Sequence, residues 1–326
     1  MEAPVKRLAR RAGVLTLVLA IAAGCSTYGP TFAGDSPDWS AGTSQHSANV
    51  GSLTRTFSVH IPARRRLSNS GVTLPWPLVI VLHGSSGDAA EIEHQSGMDS
   101  VADAQHFLVA YPNGTGGAFD LYPSDWNAGN CCGAASRDGV DDLGFISALI
   151  STIAAHVPLD ARRVYVAGFS AGGYMAYHAG CQLSPLIAAV GVIEGAVADD
   201  ACTPPKPVPL FAVHGTDDPE VSYNEEIPPF AGPVPTIAAA LPPSVQFWSV
   251  LNGCAVKTAK GVAKTISAHV VQTSLTTCTS ADVSFYSIQG GTHGWPGGPD
   301  DPGASPPMNE IKASVLMWTF FIAHTR

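Results

Sequence analysis

The chain has 326 residues, 45% of them hydrophobic and 13% charged, with 17 Lys and Arg against 26 Asp and Glu for a formal net charge of −9. That much apolar side chain suffices for a large core in one α/β domain and excludes disorder as the state of the whole chain. The acidic balance, with no run of cationic residues after Arg66, argues against nucleic acid or another polyanion as partner, because such partners are held by clustered Lys and Arg.

Lys6, Arg7, Arg10 and Arg11 precede an apolar run from Val14 to Ala23, the pattern of an export signal. The run is about half of the ~20 residues that a membrane-spanning helix needs. It ends in Ala22-Ala23-Gly24-Cys25, which resembles the bacterial lipoprotein box, with Ala22 where the box usually has Leu. Residues 1–24 are therefore expected to be removed and Cys25 lipidated, placing the protein outside the cytoplasm on a membrane anchor; ordinary signal cleavage nearby is the alternative. Removal leaves 13 basic and 25 acidic residues, a net charge of −12. Residues 25–50, rich in Ser, Gly, Thr and Pro, read as a lipidated N-terminus and flexible tether, and residues 51–326 as the catalytic domain.

Apolar runs bounded by turn residues predict strands at Thr56–Ile61, Leu78–Leu82, Phe107–Ala110, Val164–Ala167, Ala188–Ile193, Pro209–Val213 and Val283–Ile288. Helical spacing appears at Leu143–Ala155, Ser170–Cys181 and Ile311–His324, and near Val245–Leu251 after a Pro-rich insertion at Ile227–Pro243. Strands alternating with helices predict a mostly parallel central sheet with helices on both faces, the α/β class. The Arg64-Arg65-Arg66 triplet reads as a solvated loop after the first strand.

Chemistry concentrates at Gly168-Phe169-Ser170-Ala171-Gly172, a G-x-S-x-G motif directly after one predicted strand and before a small-residue helix. The reversal from strand to helix strains the serine and leaves no room for side chains at 168 and 172, so glycine is needed there. A serine hydroxyl needs a base, and in this chain order the acid and then the histidine follow the nucleophile. His293, in the glycine-flanked loop after the last strand, fits the base better than His269, in a stretch resembling a solvated strand, or His324 at the C-terminus. Asp218, with Asp217 as its alternative, follows the preceding strand and is expected to fix the imidazole. The Ala171 N–H at the helix start and the Ser85 N–H in the loop after Leu82-His83-Gly84 are the candidate oxyanion donors, with His83 read as a structural residue under that loop.

Together, Leu82-His83-Gly84, Gly168-Phe169-Ser170-Ala171-Gly172-Gly173, His214-Gly215-Thr216-Asp217-Asp218 and Gly290-Gly291-Thr292-His293-Gly294-Trp295-Pro296-Gly297 make the chain from about residue 53 onward resemble the polyhydroxybutyrate depolymerase and feruloyl esterase group. Trp126-Asn127-Ala128-Gly129-Asn130-Cys131-Cys132-Gly133 and Val140-Asp141-Asp142-Leu143-Gly144-Phe145-Ile146 extend the likeness, which is greatest to its lipid-anchored bacterial branch. The resemblance implies an α/β-hydrolase fold, a triad of Ser170, Asp218 and His293, and cleavage of small or polymeric carboxylic esters through an acyl-enzyme, without a metal or organic cofactor. Thr292 interrupts the usual glycine–histidine pairing, and the Pro-rich insertion is expanded; both bear on specificity.

Trp126 and Trp295 are candidate flat surfaces for substrate, with core packing as the alternative. Asp141 and Asp142 read as helix-capping carboxylates, and Asp300 and Asp301 as loop residues with a weak calcium reading. With Cys25 lipidated, six cysteines remain; the simplest pairing joins Cys181 to Cys202 and Cys254 to Cys278, leaving Cys131 with Cys132, and their spacing does not suit zinc. A non-catalytic binding or adhesion lipoprotein and a serine peptidase on the same fold are the competing functional readings.

Overall fold

Alternate residues of the central strands enter two different cores, and this two-sidedness fixes the architecture. In β3 (Trp76–Leu82), Leu78, Ile80 and Leu82 enter one core while Val79 and Val81 enter the other. In β5 (Leu159–Phe169), Val164 and Val166 join the first core and Tyr165 and Ala167 the second. Strands buried on both faces read as continuous apolar runs, which is why they are the visible ones in the sequence.

The computed structural model describes residues 38–63, 71, 73–116, 124–199, 201–225, 241–254, 262–275, 278–299 and 305–326, all within one compact unit. The remaining strands are β1 (Gly42–Val50), β2 (Leu53–Ile61), β4 (Leu108–Pro112), β6 (Ala189–Ile193), β7 (Leu210–Gly215), β8 (Val262–Thr265), β9 (Val270–Leu275) and β10 (Val283–Ile288). They form one sheet in the order β1-β2-β4-β3-β5-β6-β7-β10-β9-β8. The six central strands from β4 to β10 run parallel, and both edges are antiparallel. Helices α4 (Asp142–His156), α5 (Ala171–Gln182) and α6 (Pro243–Leu251) supply the first core. Helices α1 (Ala89–Ser96), α2 (Met98–Gln105) and α7 (Ala313–Phe321) supply the second, and the short α3 spans Gly133–Arg137.

Strand β1 corrects the tether reading over residues 42–50, while residues 25–37 lie outside those described. Its inward residues alternate, with His46 and Ala48 buried, and Trp39 stacks on the rings of both His46 and His156 at 3.8 and 4.6 Å. A two-residue loop joins Val50 to Leu53, with Gly51 in the left-handed region at φ 56°. The polar composition conceals the strand, because one short alternating face suffices at a sheet edge. The β8–β9 hairpin at the opposite edge is similarly polar, with every residue of β8 exposed. The signal sequence, Cys25, the Arg64-Arg65-Arg66 triplet, Asp300, Asp301 and nearly all of the Pro-rich insertion lie outside the described residues. Among the described residues, no helix is long and apolar enough to cross a membrane.

Disulfides join Cys181 to Cys202, Cys254 to Cys278 and Cys131 to Cys132. The first ties the end of α5 to the segment leading into β7, closing a loop with a sequence separation of 21. A crosslink of that span restricts the unfolded chain, so replacing both Cys181 and Cys202 by Ser is expected to cost about 3 kcal/mol, measured by urea unfolding.

Candidate active site

The chain leaves β5 at Phe169 and enters α5 at Ala171, so Ser170 alone makes the reversal, at φ 54° and ψ −122°. A non-glycine residue in this region stores on the order of 1–3 kcal/mol of strain. The surroundings hold it there: Ser170 N–H donates to Ile193 O at 3.0 Å, and Ser170 O accepts from Gly173 and Tyr174 N–H. A Cβ at Gly168 would run into the Gly172 backbone, and one at Gly172 into the Leu82 and His83 carbonyls. The Ser170 side chain makes no capping hydrogen bond with its helix.

Two strands away, β7 ends in Gly215 against the Gly291 backbone, and Asp218 follows in the next turn. Its Oδ1 accepts Glu220 N–H at 2.8 Å and Val221 N–H at 3.0 Å, while Oδ2 lies 2.8 Å from His293 Nδ1. Asp217 is exposed; its carboxylate accepts the Thr216 hydroxyl, and its own N–H donates to Gly291 O. The two adjacent carboxylates are thereby distinguished, with Asp218 paired to the histidine. Burial alone would raise the Asp218 pKa, but hydrogen bonds from His214, His293 and Val221 N–H outweigh it and hold the carboxyl well below its ordinary value.

His293 stands in the loop after β10, its ring 4.7 Å from that of Phe169, the neighbour of Ser170. A carboxylate only accepts, so Nδ1 carries the hydrogen and Nε2 keeps a lone pair, the tautomer a general base needs. The mostly exposed Glu220 carboxylate is 3.7 Å from Nε2.

The loop after β3 passes directly over the elbow, where a Cβ on Gly84 would sit 3.3 Å from Ser170 Cβ. Its neighbour Ser85 donates its hydroxyl to the Asp125 carboxylate. Beneath the loop, His83 is buried with Nδ1 2.7 Å from Gly84 O and Nε2 accepting Gly114 N–H at 2.9 Å. Burial lowers its pKa to about 4, so it is a neutral strut, as read from the sequence.

The two tryptophans correct the expectation of substrate surfaces. Trp126 is fully buried with its indole N–H donated to His83 O at 2.9 Å, and Trp295 is 1% exposed with its N–H on Ser314 Oγ. Both brace the loops from behind, because each indole finds its polar partner inside the protein. Asp141 caps α4 through Gly144 N–H, whereas Asp142 is buried, pairs with Arg55 at 2.8 Å and accepts Asn127 N–H. His269 pairs with Glu310 at a sheet edge, away from the Ser170 elbow in strand order.

Two residues at the site escaped sequence reading. Glu194, directly after β6, and His214, within β7, are buried behind Asp218, and polar atoms of all three lie within 4.8 Å of one another. The available signal was a carboxylate closing the apolar run Ala189–Ile193 and followed by Gly195. The trio has the composition of a metal site, but His214 Nε2 is 2.9 Å from Val221 O, so it bears a hydrogen and has no lone pair to offer.

Residues 67–213 match the family model for Esterase PHB depolymerase. That stretch, a little under half of the chain, is similar to the esterase domain of this family. Ser170 lies within the matched stretch, and Asp218 and His293 beyond it. The chain is 32% identical over 183 residues to Feruloyl esterase B of Piromyces equi, covering 55% of this chain and 33% of that protein. It is 31% identical over 202 residues to the Poly(3-hydroxybutyrate) depolymerase of Ralstonia pickettii, covering 59% of this chain and 39% of that protein. It thus spans 33% and 39% of the lengths of these two relatives. The solved acetyl xylan esterase of Aspergillus awamori superposes with a TM-score of 0.53 at 13% identity, over 74% of this chain and 89% of that one. That likeness is one of fold, and the fold is that of the α/β-hydrolases.

The depressed Asp218 pKa has a stability consequence with a defined sign. A carboxyl whose folded pKa lies below its ordinary 3.8 contributes stability above that pH and loses it as pH falls toward the folded value. Asp218→Asn is therefore expected to be less stable than the parent at pH 7, with the deficit shrinking below about pH 4. Parallel urea titrations of the two proteins at pH 7, 5 and 3 measure this.

Proposed function

We propose that this protein is an exported serine esterase that hydrolyses carboxylic esters through an acyl-enzyme on Ser170. The observation that carries the reading is the 2.8 Å bond from His293 Nδ1 to Asp218, made at the rim of the sheet where Ser170 sits in its strained elbow. Ser170 Oγ attacks the ester carbonyl carbon as His293 Nε2 takes its proton, and Asp218 stabilises the resulting imidazolium. The developing oxyanion is received by the N–H groups of Ser85 and Ala171. The position of Gly84 against Ser170 supports the first, and the orphan N–H groups at the start of α5 support the second. His293 then gives its proton to the departing alkoxide, and water, deprotonated by the same nitrogen, releases the carboxylic acid.

The names of the relatives point to a hydroxyalkanoate or feruloyl acyl group, carried on a polymer or a small alcohol. The apolar run with its leading cations supports export, and three disulfides fit a compartment outside the cytoplasm. Ala22-Ala23-Gly24-Cys25 supports a lipid anchor on Cys25, which would hold the enzyme at a membrane surface.

A fluorophosphonate probe is expected to label the parent protein at Ser170 and leave Ser170→Ala unlabelled. Equal labelling of the two would overturn the assignment. Hydrolysis of a panel of p-nitrophenyl and feruloyl esters by the parent, with loss of turnover in Ser170→Ala, extends the test to the reaction.

A further inference from the structure

Glu194 is fully buried at the end of β6 and has a backbone φ of 49°, an uncommon conformation for a residue with a side chain. Its carboxyl faces the back of Asp218. Gly215 N–H points at both of its oxygens, at 3.1 and 3.0 Å, and His214 Nε2 lies 3.4 Å from Oε2. The same His214 nitrogen is 3.4 Å from Asp218 Oδ2, but its closer partner is Val221 O. The phenol of Tyr223, donated to Ser287, faces Glu194, and the half-buried phenol of Tyr174 on α5 faces Asp218; among the described residues no Lys or Arg pairs with either carboxyl.

Oxygens of these two buried carboxyls lie within 4.8 Å of one another with only His214 between them, an arrangement that disfavours charge on both and favours a proton on one. The donors decide which. Among the described residues, Asp218 receives Glu220 N–H, Val221 N–H and His293 Nδ1–H, whereas the donor within hydrogen-bond distance of Glu194 is Gly215 N–H. We propose that Glu194 holds a proton at neutral pH and donates it to Asp218, acting as a positioning residue that leaves Asp218 the single charge of the pair and keeps its Oδ2 on His293. Burial first, and then the neighbouring Asp218, raise the Glu194 pKa well above its ordinary value, in agreement. The role rests on the proposed triad. A neutral donor behind the acid holds it in place without adding a second negative charge beside the histidine.

The test compares full-length parent, Glu194→Gln and Glu194→Ala. Glutamine keeps a neutral donor in the same place. On a short p-nitrophenyl ester, Glu194→Ala is expected to lower kcat by about tenfold or more with KM within about twofold, and Glu194→Gln to recover most of that loss. A second readout is independent of turnover. A carboxyl with a raised folded pKa binds its proton more tightly in the folded state, so the stability it allows is full below 4.5 and falls as pH rises above that value. Glu194→Gln escapes this fall, so its stability relative to the parent should climb from pH 5 to pH 9 in urea titrations. Loss of kcat in Glu194→Gln as deep as in Glu194→Ala, an unchanged kcat in Glu194→Ala, or a pH-independent stability difference would each overturn the proposal. Should Glu194→Ala fail to fold, the pH comparison of parent and Glu194→Gln decides. Failure of Ser170 labelling would remove the triad reading yet leave the protonation result standing, so the two failures are separable.

Discussion

Backbone meets backbone along the C-terminal rim of the sheet, and the site depends on that close approach. Gly168 lies against Gly172, Gly172 against the carbonyls that end β3, Gly215 against Gly291, and Gly173 against Gly195. Each contact lets a loop cross a strand end at a distance that a methyl group would forbid. The reversal at Ser170 is tolerable because its amide and carbonyl are both hydrogen-bonded within this frame. Without the frame, the serine would relax into an ordinary helix-capping conformation and its hydroxyl would turn toward the helix. The rim therefore supplies the geometry of the site, and the buried side chains behind it supply the charge.

That charge is arranged in depth. Asp218 faces His293 on one side and a buried carboxyl and imidazole on the other, and its second oxygen is occupied by two backbone amides. Few orientations remain open to a carboxylate so held, and His293 inherits the same restriction through its Nδ1. The loop over the elbow is likewise supported from below by neutral His83 and by Trp126, linked to each other through the His83 carbonyl. Preorganisation at this rim comes from polar groups that have no freedom left, which is the condition under which fixed dipoles stabilise developing charge without reorganising.

The legible parts of this protein are those in which one physical demand dictates residue type. Doubly buried strands require unbroken apolar runs, so β3, β5, β6, β7 and β10 stand out, and the elbow requires glycines around a serine. Edge strands make no such demand: β1 hides two buried side chains among Ser, Gln and Asn, and the exposed β8 buries none. Helix α1 had a signal that went unread, since Asp88 accepts Glu91 N–H in a capping arrangement readable from their spacing. Trp126 and Trp295 show the opposite limit. A tryptophan beside a catalytic motif in sequence suits a substrate platform or a buried brace equally, and only the position of a partner for its N–H separates the two. Glu194 was hidden because its neighbours in space, His214 and Asp218, come from other segments.

Strand β10 is the last strand among the described residues, yet it lies inside the sheet, between β7 and β9. A chain that emerges from its N-terminus onward forms β5, the elbow and α5 long before the strand that leads to His293 exists. In the proposed triad, Ser170 has no base until β10 docks beside β7. On that proposal, hydrolytic competence is tied to completion of the sheet, and a chain stalled or clipped before β10 would carry Ser170 without His293.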